Sequence, residues 1–222
     1  MTFRTLRKDA LALLFAAAAC VALGAVFWFA KAADFAVVRL LNPSRSSFVD
    51  EVLHWLDRQG PRVLLATAGL ALLAVLGWRR LAARRPAAAA WLLGMAWAQA
   101  VVNLGKTVVR RLRPLEGELG EALRRIRDVP DVARSLPSGH VTTATAVAAG
   151  LWLVLGPGVG KRRHLLALVP PLMMWDRMAL GLHHPSDALF GAGAGLLCMA
   201  AAAFAVSFYV RGAPGAAAAA TA

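Results

Sequence analysis

Residues 134–160 read R-S-L-P-S-G-H-V-T-T-A-T-A-V-A-A-G-L-W-L-V-L-G-P-G-V-G, and no charged side chain stands between His140 and Lys161. The uncharged run 141–160 has the length that a helix rising about 1.5 Å per residue needs to cross a hydrocarbon core of about 30 Å. Pro137, Ser138 and Gly139 before it are residue types that open helices. A histidine at the lip of such a segment asks for a reason, because ionisable groups near the membrane interior are costly.

The same composition recurs along the chain. Of 222 residues, 59% are hydrophobic and 17% charged, and the charges cluster. Apolar runs lie at 10–30, 62–78, 86–105, 141–160, 165–182 and 188–210, the fifth broken only by Asp176 and Arg177. This predicts an all-α polytopic membrane protein with six transmembrane helices in one domain, residues 1–212. After the first span, 47–59 puts Phe48, Val52, Trp55 and Leu56 on one helical face, which predicts a short interfacial helix ended by Gly60-Pro61. The Ala-rich tail, 213–222, reads as disordered. Gly191, Gly193 and Gly195 read as close-packing positions in the last span.

Arg4, Arg7 and Lys8 precede the first run, and Ala17-Ala18-Ala19-Cys20 resembles a lipoprotein cleavage site, but the run continues to Ala30 and reads as an uncleaved anchor. Cys20 and Cys198 both fall in apolar runs and read as small buried hydrophobes.

The net charge of +13 would suggest nucleic acid in a soluble protein. Alternating the loops across a membrane gives another meaning. One side takes Arg4, Arg7, Lys8, Arg79, Arg80, Arg84, Arg85, Lys161, Arg162, Arg163 and Arg211 against the single acid Asp9, net +10. The other takes fourteen cations and eleven acids, net +3. The short basic loops mark the cytoplasmic face, and no nucleic-acid partner is expected.

Three polar clusters interrupt the apolar background. Lys106 to Pro114 ends the third span, Pro137 to His140 opens the fourth, and Asp176 to Asp187 joins the fifth to the sixth. Alternation places all three on the outer face, a result independent of their chemistry. Lys106, Arg113 and Arg177 with a Ser-Gly helix start suit a tetrahedral oxyanion, because guanidinium forks and free helix N–H groups both bind phosphate. His140 and His183 suit the two roles of phosphoryl transfer, nucleophile and proton carrier. Asp187, four residues past His183, is placed to fix its tautomer. Each cluster has a plainer meaning alone: Lys106, Arg110 and Arg111 as snorkelling cations, Asp176-Arg177 as local charge balance, and His183, His184 and Asp187 as metal ligands.

Together, K-x6-R-P over Lys106 to Pro114, P-S-G-H over Pro137 to His140, and R-x5-H-x3-D over Arg177 to Asp187 resemble the three-part phosphate signature of the type-2 phosphatidic acid phosphatase family. The vanadium haloperoxidases share that signature. The six-span layout is similar to the membrane-integral branch. One position departs: Asp176 stands where the family carries Ser, an acid beside the Arg177 guanidinium.

The resemblance implies a metal-independent phosphatase of lipid phosphates or diphosphates; the charge count turns its site to the exterior, and the Ala-, Gly- and Arg-rich composition suggests a bacterial inner membrane. The resemblance also implies His183 as the nucleophile that becomes phosphohistidine, Asp187 as its orienter and His140 as the general acid. Lys106, Arg113, Ser138, Gly139 and Arg177 would hold phosphate, with no metal and no cofactor. The expected partners are a lipid phosphate substrate and membrane lipids, with undecaprenyl diphosphate and phosphatidylglycerol phosphate leading. The alternatives are a lipid phosphotransferase and a catalytically silent lipid-binding protein. The loop 115–135 is expected to cover the site.

Overall fold

A computed structural model describes residues 3–41, 47–114 and 134–212, so the expected tail and most of the 115–135 loop lie outside the described residues. The described chain is helical. In order, α1 spans Phe3–Phe29, α2 Lys31–Leu41, α3 Ser47–Gly77, α4 Arg85–Val109, α5 Gly139–Leu155, α6 Val169–Ala179 and α7 Pro185–Gly212. Two 3₁₀ segments, Arg79–Arg84 and Pro157–Leu168, precede α4 and α6.

Ala and Leu dominate these helices and favour them locally, but small residues set the packing. α7 lies against α1, α4 and α5. A Cβ on Gly191 would stand 2.8 Å from the Ser138 carbonyl oxygen, and one on Gly195 would stand 2.8 Å from that of Thr142, so α7 meets α5 backbone to backbone. Gly193 faces the other way, where a Cβ would lie 2.7 Å from Val21 of α1. These three glycines therefore pack closely as expected, against α5 and α1. Leu6, Leu13, Trp91, Leu153 and Met199 fill the buried core between the same helices.

The outer surface is apolar: Phe15, Leu70, Leu73, Leu104 and Tyr209 are exposed. An apolar exterior of this extent fits lipid. Among the described residues, three helices are long and apolar enough to cross a membrane, Phe3–Phe29, Leu81–Val109 and Pro185–Tyr209, and Val63–Val75 and Gly139–Leu155 are shorter apolar helices. Cys20 and Cys198 are unpaired thiols in this apolar setting, Cys198 buried.

Two expected boundaries move. Gly60-Pro61 does not end the segment 47–59, because α3 continues through it to Gly77. A proline inside a helix costs about 3 kcal/mol. Burial of Leu53 with Ala179, Leu180 and Leu182 works against that cost. Phe48 and Trp55 of the same stretch remain exposed, as an interfacial face would be. In the fifth apolar run, 165–182, α-helix covers only Val169–Ala179. Pro170 and Pro171 hold the helix start there, and Gly181, at φ +66°, adopts the left-handed conformation just beyond its end.

The basic loops gather at one end of the bundle. Arg163 reaches Asp9 at 3.3 and 3.4 Å, and Arg84 lies against Gly156. The three polar clusters meet at the other.

Candidate active site

α4 ends where Arg110 takes a left-handed conformation, φ 47°. The turn sends Arg111 and Arg113 back over the start of α7. Ser138 is the extended residue that begins α5, and its N–H donates to the Asp187 carbonyl at 3.1 Å, joining the second cluster to the third. Gly105 and Gly139 leave the room this needs. A Cβ on Gly105 would stand 2.6 Å from Pro137 Cδ, and one on Gly139 would stand 3.3 Å from Lys106 Nζ. The Lys106 ammonium therefore lies against the amide end of α5. Ser138 Oγ there is buried with no hydrogen-bond partner among the described residues.

His183 is 2% exposed. Arg113 Nη1 lies 3.2 Å from its Nε2 and donates to the Leu182 carbonyl at 3.1 Å. A guanidinium only donates, so Nε2 accepts and the ring proton belongs on Nδ1. Nδ1 lies 3.3 Å from Ser135 Oγ, which donates to Asp187 Oδ2 at 2.5 Å. The direct distance from Nδ1 to Asp187 is 3.9 Å, too long for a hydrogen bond. The hydrogen-bonded path from Asp187 to the ring therefore runs through Ser135, where spacing led us to expect a direct contact. Burial pushes the His183 pKa down to about 3, with Arg113 and Arg177 adding to the effect and Asp187 opposing it. The ring is neutral at pH 7, as a nucleophile requires.

Asp187 is itself held. Arg111 Nη1 donates to its Oδ1 at 2.7 Å and to Ser186 Oγ at 2.5 Å, while Nη2 donates to Asp34 of α2 at 2.6 Å. Asp34 also accepts from the Ser186 amide and hydroxyl, at 2.9 and 2.6 Å. The His184 amide donates to Asp187 Oδ2 at 3.0 Å. Buried carboxylates of this kind persist when paired and hydrogen-bonded on every side.

The other side of the site is built on Arg177, which is 1% exposed. Its Nε and Nη2 donate to Asp176 Oδ2, and its Nη1 donates to Asp57 Oδ1 of α3 at 2.5 Å. The same Asp57 oxygen lies 3.9 Å from His140 Nε2. The acid noted at position 176 is thus bound to the guanidinium it was expected to contest.

The structure brings Lys106, Arg113, Ser138, Gly139, His140, Arg177, His183 and Asp187 to one end of the bundle. Arg111, taken alone as a snorkelling cation, instead joins two buried carboxylates. Ser135, Asp34, Ser186 and Asp57 were not read as site residues. Asp34 had a signal, an acid among apolar residues in K-A-A-D-F-A-V-V; Asp57 had none. His184 presents its amide to Asp187, and its ring lies tilted on Phe35, with centroids 5.8 Å apart. Among the described residues, no group of three or more His, Cys, Asp or Glu side chains is disposed to hold a metal ion.

Comparison with known proteins gives three findings. The family model described as PAP2 superfamily matches residues 87–211. Decaprenylphosphoryl-5-phosphoribose phosphatase of Mycobacterium tuberculosis, in strains CDC 1551 / Oshkosh and ATCC 25618 / H37Rv, is 35% identical over 130 residues, 57% of this chain and 66% of the relative. The match thus spans just under two thirds of that relative's length. The crystal structure of a transmembrane PAP2-type phosphatidylglycerolphosphate phosphatase from Bacillus subtilis superposes with a TM-score of 0.66 at 20% identity, over 93% of this chain and 98% of that one. At that identity the likeness is one of fold.

Proposed function

We infer the function from one premise, that this chain belongs to the PAP2 superfamily, and propose that it is a lipid phosphate phosphatase working through a phosphohistidine. The observation that carries the proposal is the arrangement of His183. Its Nε2 is unprotonated beside Arg113, and its Nδ1 is backed by Ser135 and Asp187.

In the proposed reaction, His183 Nε2 attacks phosphorus and the bond to the lipid oxygen breaks. His140 gives that oxygen its proton. Water then takes the phosphoryl group from Nε2, activated by the His140 base so formed. Lys106, Arg113, Arg177, the Ser138 hydroxyl and the Gly139 amide hold the equatorial oxygens, where charge develops in the transition state. The unpartnered Ser138 Oγ at the start of α5 supports its place in that cradle. No metal takes part.

The proposed topology has α1, α3, α4, α5, α6 and α7 crossing a bacterial inner membrane, α6 together with the 3₁₀ turns before it. The site then faces the exterior and the basic loops the cytoplasm. The substrate carries a terminal phosphate on a lipid. Undecaprenyl diphosphate and phosphatidylglycerol phosphate remain in view, and the mycobacterial relative adds a prenyl-linked sugar phosphate. Purified protein in detergent micelles, assayed against those three lipids and phosphatidate with EDTA present, should release phosphate from at least one. Release that required an added divalent ion would contradict the metal-independent mechanism.

The double engagement of Arg177 by Asp176 and Asp57 favours one second reading, a protein that binds lipid phosphate without turning it over. Lipid binding with no phosphate release across the panel would select it.

A further inference from the structure

Asp57 lies in α3, outside residues 87–211, and none of the three motifs contains it. It nonetheless enters the site. Its Oδ1 is 2.5 Å from Arg177 Nη1 and 3.9 Å from His140 Nε2, and its side chain is 31% exposed.

The charged groups facing His140 are Arg177 from α6, Lys106 from α4, Arg113 from the segment after α4, and Asp57 from α3. Three of the four are cations, present because the phosphate needs them. Burial first, and then these cations, work against the role proposed for His140, since a buried imidazole among cations loses its proton and a general acid must keep one. Asp57 is the facing charge of opposite sign. Its carboxylate, anchored on Arg177, stands beside Nε2.

We propose that Asp57 is a positioning residue, whose carboxylate, fixed on Arg177 and acting on His140 Nε2 through its charge across 3.9 Å, favours the protonated ring that delivers a proton to the departing lipid oxygen. The inference rests on the phosphatase reading above. Asp57 comes from an element outside the matched family region. Asp57 touches no reacting atom, and its effect passes through the imidazole.

The test compares wild type, Asp57→Asn and Asp57→Glu on two substrates in detergent micelles. Dioctanoyl phosphatidate has an alkoxide leaving group that needs the proton, whereas p-nitrophenyl phosphate has a leaving group that departs without one. For Asp57→Asn, kcat on the phosphatidate should fall about 10-fold or more, while kcat on p-nitrophenyl phosphate falls no more than about 3-fold. The alkaline limb of its kcat profile on the phosphatidate should move down by about one pH unit. Asp57→Glu, which restores the charge, should return the limb toward its wild-type place.

Equal loss on both substrates, an unmoved limb, or a change in KM alone would overturn the proposal; the last would make Asp57 a mere competitor for the phosphate position. Should Asp57→Asn fail to fold, by thermal unfolding in detergent, the Asp57→Glu limb and its rate ratio on the two substrates carry the comparison. A wild-type protein that hydrolyses neither compound nor the lipids above would instead overturn the phosphatase reading, and this inference with it.

Discussion

His183 and His140 both lie within electrostatic reach of Arg113 and Arg177, but they are held in different ways. His183 is buried and backed by a chain of bonded groups, Ser135, Asp187, Arg111, Asp34 and Ser186, drawn from four stretches of sequence. The His140 side chain is 37% exposed and faces a carboxylate that is itself partly open to solvent. In the proposed reaction one group must keep a fixed attack line with its Nε2 unprotonated, and rigidity serves that. The other, as the proposed general acid, must meet a leaving group, give up a proton and recover it, which calls for contact with water.

This contrast can be broken at several points. The largest effect should come from His183→Ala. Losing the nucleophile should remove phosphate release to background, by about 10⁴-fold or more, in a protein that still unfolds cooperatively in detergent. His140→Ala should be milder, about 10²–10⁴-fold in kcat, because the nucleophile and the oxyanion cradle survive. That variant should also lose less on p-nitrophenyl phosphate than on an alkyl phosphate. Equal losses for the two histidines on every substrate would erase the distinction.

Arg111→Ala addresses the support of His183. It leaves Asp34 and Asp187 buried without their shared cation, which should cost about 3–5 kcal/mol of stability. Thermal unfolding in detergent would read this as a clear fall in the midpoint. An unchanged midpoint would mean that the network is not what holds this end of the bundle.

The smallest effect expected is a dependence of stability on pH. The folded His183 pKa is lowered to about 3 from 6.5, so below pH 6.5 the unfolded chain binds a proton that the folded chain refuses. Stability from this group is complete above about pH 6.5 and falls as pH drops toward 3, by about 1.4 kcal/mol per pH unit. His184, also lowered chiefly by burial, adds in the same direction. Unfolding midpoints measured from pH 7 down to pH 5 should fall more steeply for wild type than for His183→Gln. Identical slopes would show that His183 is not held neutral.

The legible part of this site was the part that recurs at fixed spacing. Lys106, Arg113, the Pro137 to His140 run, Arg177, His183 and Asp187 announce themselves against an apolar chain, because a membrane protein places few charges without cause. The glycines of α7 were legible for a similar reason, since small residues in an apolar helix mean close approach. Ser135, Asp34 and Asp57 were not legible, because their roles come from tertiary contacts between segments far apart in sequence. Asp187 faces Asp34 through an arginine 76 residues away from it, and Asp57 bonds an arginine 120 residues away. Gly60-Pro61 misled for a local reason: the dipeptide carries a stop signal that Leu53 and α6 override by packing. α6 was overextended because an apolar run alone does not say where its prolines will start the helix.

The central claim, that His183 carries the phosphoryl group, is tested most directly by trapping the intermediate. Wild-type protein mixed with ³²P-labelled lipid phosphate and quenched in alkali should retain an acid-labile, base-stable label, which peptide mapping assigns to His183. The account predicts that label on wild type and none on His183→Ala. A label on any other residue, or steady phosphate release by His183→Ala, would contradict it.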